Sequence, residues 1–285
     1  MNASDEKKYC YRYPHPAMTA DCVIFGFDGE RLNILLIERG EDPHKGMWAL
    51  PGGFMQINET IEQAARRELR EETGLKGIYM EQFKVFSTVD RDPRERVVTV
   101  AFIALVRPGD YRLCAASDAA KAMWYDTEFL PPLAFDHAEI IRQARKHLTE
   151  MLRVRPVAFE LLDKYFSMSE LQKVYEAITG RNFDRRNFER KALQTGAIEE
   201  VDRLTAVHLF KEDLQGNSQK TERISSCSDT HIPQPPCSPA PPEDECESQV
   251  KMKSSSPRSR KRLFSFLRKN KEETDDSSMK DIFNF

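Results

Sequence analysis

Apolar and polar positions change rhythm several times along this chain, and each change marks an element. Cys22-Val23-Ile24-Phe25-Gly26-Phe27 is almost continuously apolar, Asp28-Gly29 interrupts it, and Leu32-Asn33-Ile34-Leu35-Leu36-Ile37 resumes it. Two such runs around an Asp-Gly turn predict a β-hairpin of buried strands. A short apolar run at 47–50 is broken by Pro51-Gly52-Gly53. From Asn58 or Glu59 the period lengthens: Ile61, Ala64, Ala65, Leu69 and Thr73 share one helical stripe, and Gly74 stops it. Strands follow at 78–89 and 96–106, the second alternating through Val98, Val100 and Phe102, with a charged loop at 90–96 between them. Trp124-Tyr125 reads as a late strand, and a helix runs from Ala138 to Leu152. This is an α+β pattern spanning 17–152, behind a polar lead-in at 1–16.

Past a hinge at Arg153-Val154-Arg155-Pro156 the pattern starts again. Helical stretches are predicted at 157–165, 169–179 and 184–195, with Ser169 and Asp184 as caps of the last two and Gly180 and Gly196 as their stops. Two short strands, 197–201 and 207–210, complete the outline of a winged helix over 156–212. Beyond Leu214, Ser, Pro and charge replace any apolar period, which predicts a disordered tail over 215–285. Inside it a basic segment, 258–271, carries Leu263, Phe264, Phe266 and Leu267 among its cations. Such a segment suits anionic lipid, nucleic acid or a partner's groove, and equally a solvated tail.

Composition narrows the field. A chain of 285 residues has room for two ordinary domains, or one domain and a tail, and a hydrophobic fraction of 40% leaves part of it unpacked. A net charge of −3 gives no global pull toward nucleic acid or membrane, so any basic surface is local. Six cysteines without a CxxC pair point to reduced thiols in a cytoplasmic protein. The first residues lack the apolar core of a signal peptide, and no run is long enough to span a bilayer.

Candidate chemistry concentrates between Gly53 and Leu75, where Glu59, Glu62, Glu68, Glu71 and Glu72 crowd one short run. On a helix, Glu68, Glu71 and Glu72 stand at i, i+3 and i+4, on one face. Like charges so placed repel unless a cation sits among them, and a hard divalent ion such as Mg²⁺ (or Mn²⁺) takes oxygen ligands. The alternative is a solvated acidic face.

The spacing Gly53, Glu59, Arg67-Glu68-Leu69, Glu71-Glu72, Gly74, Leu75 resembles the Nudix box at all nine of its required positions. The resemblance covers roughly residues 18–150. It implies the Nudix fold, a mixed sheet between helices, and metal-dependent hydrolysis of a nucleoside diphosphate linked to another group. It further implies Glu68 and Glu72 as the main metal ligands, with Glu71 and the Gly53 carbonyl in support, and Arg67 holding a glutamate in place. Glu72, Glu71 and Arg67 are then the catalytic set. The general base is left open between a box glutamate and a later loop residue, Glu95 or Asp136.

The loop Arg91-Asp92-Pro93-Arg94-Glu95-Arg96 resembles a substrate loop of ADP-ribose pyrophosphatases. Its arginines Arg91, Arg94 and Arg96 suit phosphate contacts, or else form a charged hairpin tip. An adenine has Phe25 or Trp48 to stack on, although Trp48 fits the core better. The implied reaction is cleavage of ADP-ribose, a nucleotide-sugar type of substrate, to AMP and ribose 5-phosphate. Residues 156–212 resemble the winged helix of the Nudix-related transcriptional regulators, which implies promoter DNA as a partner, a helix at 184–195 presenting Arg185, Arg186, Arg190 and Lys191, and a homodimer. Against a strong DNA footprint, 156–212 holds nine Lys/Arg and ten Asp/Glu, including Glu189 on that helix and Glu199 and Glu200 on the strand after it. Three readings follow: a hydrolase, a regulator sensing ADP-ribose or a sugar metabolite, and a bifunctional protein doing both.

Overall fold

The computed structural model describes residues 12–110, 119–201 and 262–266. The predicted hairpin is present: β1 (Ala17–Phe27) and β2 (Leu32–Arg39) run antiparallel with Phe25 opposite Ile34. β3 (Trp48–Ala49) and β4 (Gly52–Phe54) are short; β3 pairs with β2 and β4 with β1. β5 (Glu81–Phe86) pairs antiparallel with β6 (Val97–Val106), and β6 lies parallel to β1 from Ala17↔Val97 to Gly26↔Val106. β7 (Ala119–Asp126) pairs with β2 and is longer than the Trp124-Tyr125 pattern implied. The result is a seven-stranded mixed sheet with the path β3-β2-β1-β6-β5.

Alternation along β1 sends its side chains to opposite faces. Cys22 and Ile24 meet α1 (Ile61–Thr73) through Ala64, Ala65 and Leu69. Val23 and Phe25 share a second cluster with Ile140, Ile141 and Ala144 of α2 (His137–Met151). Both faces are therefore covered, which explains the unbroken apolar run. The first helix starts later than Asn58 or Glu59 because Thr60 caps it, its hydroxyl accepting from Gln63 N–H while the Gln63 side chain accepts from Thr60 N–H. Gly74, at φ 77°, ends it as predicted.

The second cluster continues without a break into the next domain, through Val157, Leu161, Leu171, Val174 and Phe188. Here the predicted helix at 157–165 is only a short 3₁₀ turn, Val157–Leu161, before β8 (Tyr165–Phe166). Ser167, not Ser169, caps α3 (Met168–Thr179), in a capping box with Glu170. Asp184 caps α4 (Arg185–Gln194), accepting from Asn187 N–H at 2.9 Å. β9 (Ile198–Val201) follows. The strand predicted at 207–210 lies outside the described residues. The basic segment expected in a disordered tail instead contains β10 (Leu263–Phe266), which lies between β8 and β9 and antiparallel to both. Among the described residues no helix is long and apolar enough to cross a membrane.

Candidate active site

A cleft of about 390 Å³ opens where β1, β4, α1 and the loop after β5 meet. Asp21, Arg39, Gly53, Glu68, Glu72 and Arg94 line it. Local backbone makes this possible. A Cβ on Gly52 would meet the Ala20 carbonyl at 2.1 Å, and one on Gly53 would meet Glu68 Oε1 at 2.5 Å. Only glycine lets β4 lie this close to both β1 and the helix carboxylates.

Arg67 ties the acidic run together. Its Nε and Nη2 donate to Glu59 at 3.0 and 2.7 Å, its Nη1 to Glu68 at 2.7 Å and Glu71 at 3.2 Å, and its Nη2 also to the Phe54 carbonyl at 3.0 Å. The expected glutamate-holding arginine therefore holds three. Glu59, the box acid without an assigned role, is its bidentate partner. Glu71 is half-exposed and stands outside the cleft lining. Glu72 is deep: its Oε2 accepts from Gly52 N–H at 2.7 Å, and burial pushes its pKa up to about 8, with Glu68 and Asp21 adding to the rise. Burial also raises Glu68, against the pull of Arg67.

Burial thus penalises the charged form of both carboxylates, and carboxylate oxygens are the hard donors a divalent cation takes. Glu68 and Glu72 both bring such oxygens to the cleft lining. Glu68 leans on Arg67 and Glu72 on the Gly52 amide, and among the described residues no group of three acidic, His or Cys side chains stands arranged as a ready ligand set.

The loop arginines separate into three environments. Arg94 reaches the cleft, held by Asp92 at 2.7 and 3.0 Å and lying over Phe54 and Phe135 at 5.0 and 5.7 Å. Arg91 lines the same cleft but is committed: its guanidinium forms a bidentate pair with Asp136 at 3.0 and 2.7 Å and reaches Asp21 at 3.3 Å. Arg96 points away, donating to the Thr88 and Ser87 carbonyls at 3.0 and 2.9 Å, so it pins the loop and leaves the cleft. Of the loop candidates for a base, Asp136 is occupied by Arg91, and Glu95 is exposed and outside the cleft lining.

Aromatic expectations shift too. Phe25 is fully buried and Trp48 packs edge-on against Tyr125 at 4.8 Å. The aromatics lining the cleft are Phe54 and Phe135, and Arg39 lies 4.8 Å from the Phe135 ring on the cleft side. Sequence reasoning missed Asp21, Arg39, Phe54, Phe135 and His137. His137 Nδ1 accepts from Leu50 N–H at 2.9 Å, which leaves the proton on Nε2, 3.8 Å from Asp21. Burial lowers its pKa.

On α4, Phe188 and Ala192 face inward, while Arg185, Arg186 and Arg190 are exposed and Lys191 is half-buried. Arg190 donates to Asn187 at 2.6 Å. The four cations are therefore on one short helix, in the first three turns after its cap.

Comparison with known proteins matches residues 15–144 to the NUDIX domain model and 158–208 to the NrtR DNA-binding winged helix domain model. The ADPR responsive transcriptional repressor NtrR of Acinetobacter baylyi is 36% identical over 210 residues, covering 71% of this chain and 84% of that protein. The ADP-ribose pyrophosphatase of Methanocaldococcus jannaschii is 45% identical over 139 residues, 48% of this chain and 78% of its own length. The crystal structure of Shewanella oneidensis NrtR complexed with a 27mer DNA superposes with a TM-score of 0.53 and 31% identity, covering 65% of this chain and 89% of that one.

Proposed function

Because this chain belongs to the family of Nudix proteins that carry an NrtR-type winged helix, we propose that its cleft binds ADP-ribose and hydrolyses it to AMP and ribose 5-phosphate with Mg²⁺ or Mn²⁺. The observation that carries this reading is the pairing, in one cleft, of the half-buried carboxylates Glu68 and Glu72 with the guanidinium groups of Arg39 and Arg94. A pyrophosphate diester presents anionic oxygens to the arginines and, with a cation, to the carboxylates. Glu68 and Glu72 would hold the ion, helped by the Gly53 carbonyl and, from the rim, Glu71. Held there, a divalent cation would supply charge to the phosphoryl oxygens and would lower the pKa of a bound water. Water attacks one phosphorus, the bond from that phosphorus to the bridging oxygen breaks, and the two monophosphates leave. Arg67 keeps Glu68 and Glu71 aimed, and the Phe54 and Phe135 rings offer faces beside Arg94 for the base or ribose.

The test is Glu72→Gln, assayed for Mg²⁺-dependent AMP release from ADP-ribose. Removing one carboxylate from a shared metal site should cost at least about 10²-fold in kcat. Turnover equal to the native chain would overturn the assignment.

A second reading is supported by the exposed Arg185, Arg186 and Arg190 on α4: the winged helix binds promoter DNA, and the cleft reports ADP-ribose to it. A cytoplasmic homodimer is the setting this reading assumes. Arg185→Ala with Arg186→Ala should weaken binding to the chain's own upstream region; native chain that shifts no duplex at low salt overturns the regulator and leaves the hydrolase.

A further inference from the structure

β8 and β9 do not touch as strands; β10 joins them, pairing Phe264 with Phe166 and, on its other edge, Leu263, Phe264, Ser265 and Phe266 with Val201, Glu200, Glu199 and Ile198. Residues 202–262 separate β9 from β10 in sequence. β10 nonetheless satisfies the backbone groups that both flanking strands direct at it, and such groups are costly to leave unpaired when buried. Phe264, 1% exposed, belongs to the same core cluster as Phe166, Phe188 and Ile198. Phe266 stacks on Phe159 at 4.4 Å. The strand is therefore built into the domain rather than laid on it.

Its first neighbour changes the charge of the surface. Arg262 forms a bidentate pair with Glu200, one bond at 2.7 Å, and donates to Glu189 of α4 at 2.9 Å. These are two of the acids that argue against a nucleic-acid face.

We propose that Arg262–Phe266 is the integral third strand of the winged helix, and that duplex DNA binding by α4 depends on it, because Arg262 pairs with Glu189 on the helix and Glu200 beside it and offsets one of their two negative charges. The DNA half rests on the regulator reading above; the strand half does not. Phe264 and Phe266 lock the segment in place, and Arg262 acts as a positioning residue for α4 rather than as a base reader.

The experiment uses the full chain. Hydrogen exchange should find the amides of β9 that face β10 protected, and Phe264→Asp should strip that protection while leaving α1 protected. Equal protection in Phe264→Asp and native chain overturns the strand. Arg262→Glu, with β9 still protected, should weaken binding to a fluorescent mixed-sequence duplex by at least about tenfold at low salt, and adding Glu200→Arg should restore it. Native affinity in Arg262→Glu, or no recovery on the charge swap, overturns the dependence. Native chain that binds no duplex refutes the DNA half together with the regulator reading, while the exchange result still decides the strand.

Discussion

Replacing Arg91 by methionine tests what the charged loop is for. By sequence, Arg91 belonged with Arg94 and Arg96 as a phosphate ligand. In the structure its side chain is 4% exposed and holds Asp136 with two bonds and Asp21 with one, the two carboxylates being 21% and 8% exposed. Methionine keeps most of the volume and removes the charge, which leaves two buried or nearly buried carboxylates without their cation. Removing one partner from a buried ion pair costs about 3–5 kcal/mol. The lower part of that range applies, since Asp136 retains some solvent. For a domain of this size each kcal/mol moves Tm by roughly 2–4 °C, so the Nudix unit should melt about 6–12 °C lower. Far-ultraviolet circular dichroism measures the shift, and titration of ADP-ribose at a temperature where both proteins are folded measures binding. Asp136→Asn should destabilise through the same contact, and the double variant should cost clearly less than the sum of the two. A Tm within about 2 °C of native, accompanied by a large loss of ADP-ribose affinity, would refute the structural role and return Arg91 to the ligand set.

Other perturbations have equally definite outcomes. Gly53→Ala forces Glu68 aside, and a displacement near 1 Å at a reacting centre should lower kcat about 10²-fold with little change in Tm. His137 is buried neutral with its pKa lowered, so the unfolded chain binds the extra proton: stability should hold above the ordinary histidine pKa of about 6.5 and fall as pH drops below it. His137→Ala should flatten that part of the urea-midpoint-versus-pH curve while costing about 1–3 kcal/mol for the orphaned Leu50 amide. Ser167→Ala should destabilise the winged helix by about 0.5–2 kcal/mol, whereas Ser169→Ala, outside the cap, should move the same transition little.

What the sequence disclosed was local in origin. The acidic run, its glycines and its stop at Gly74 follow from spacing along one helix, so Glu68, Glu72 and Gly53 were legible before any fold was known. Where two local solutions compete, spacing cannot choose. Ser167 and Ser169 each precede an acid or amide by three residues, and the choice falls to Ser167 because that lets Met168 start the helix inside the core. The loop arginines have the same chemistry, and only the meeting of the loop with β1 and α2 decides that Arg91 is consumed by Asp21 and Asp136 while Arg94 stays over the cleft. Asp21 left one usable signal, a carboxylate directly before the apolar run of a strand buried on both faces, since such a charge needs a partner or a function. β10 left none of this kind. Four residues among cations have no period of their own, and what makes them a strand is a pair of edges contributed by residues far earlier in the chain. A β-strand is specified by its partners as much as by its own residues, so a segment that finds its sheet more than sixty positions away is read from sequence as tail.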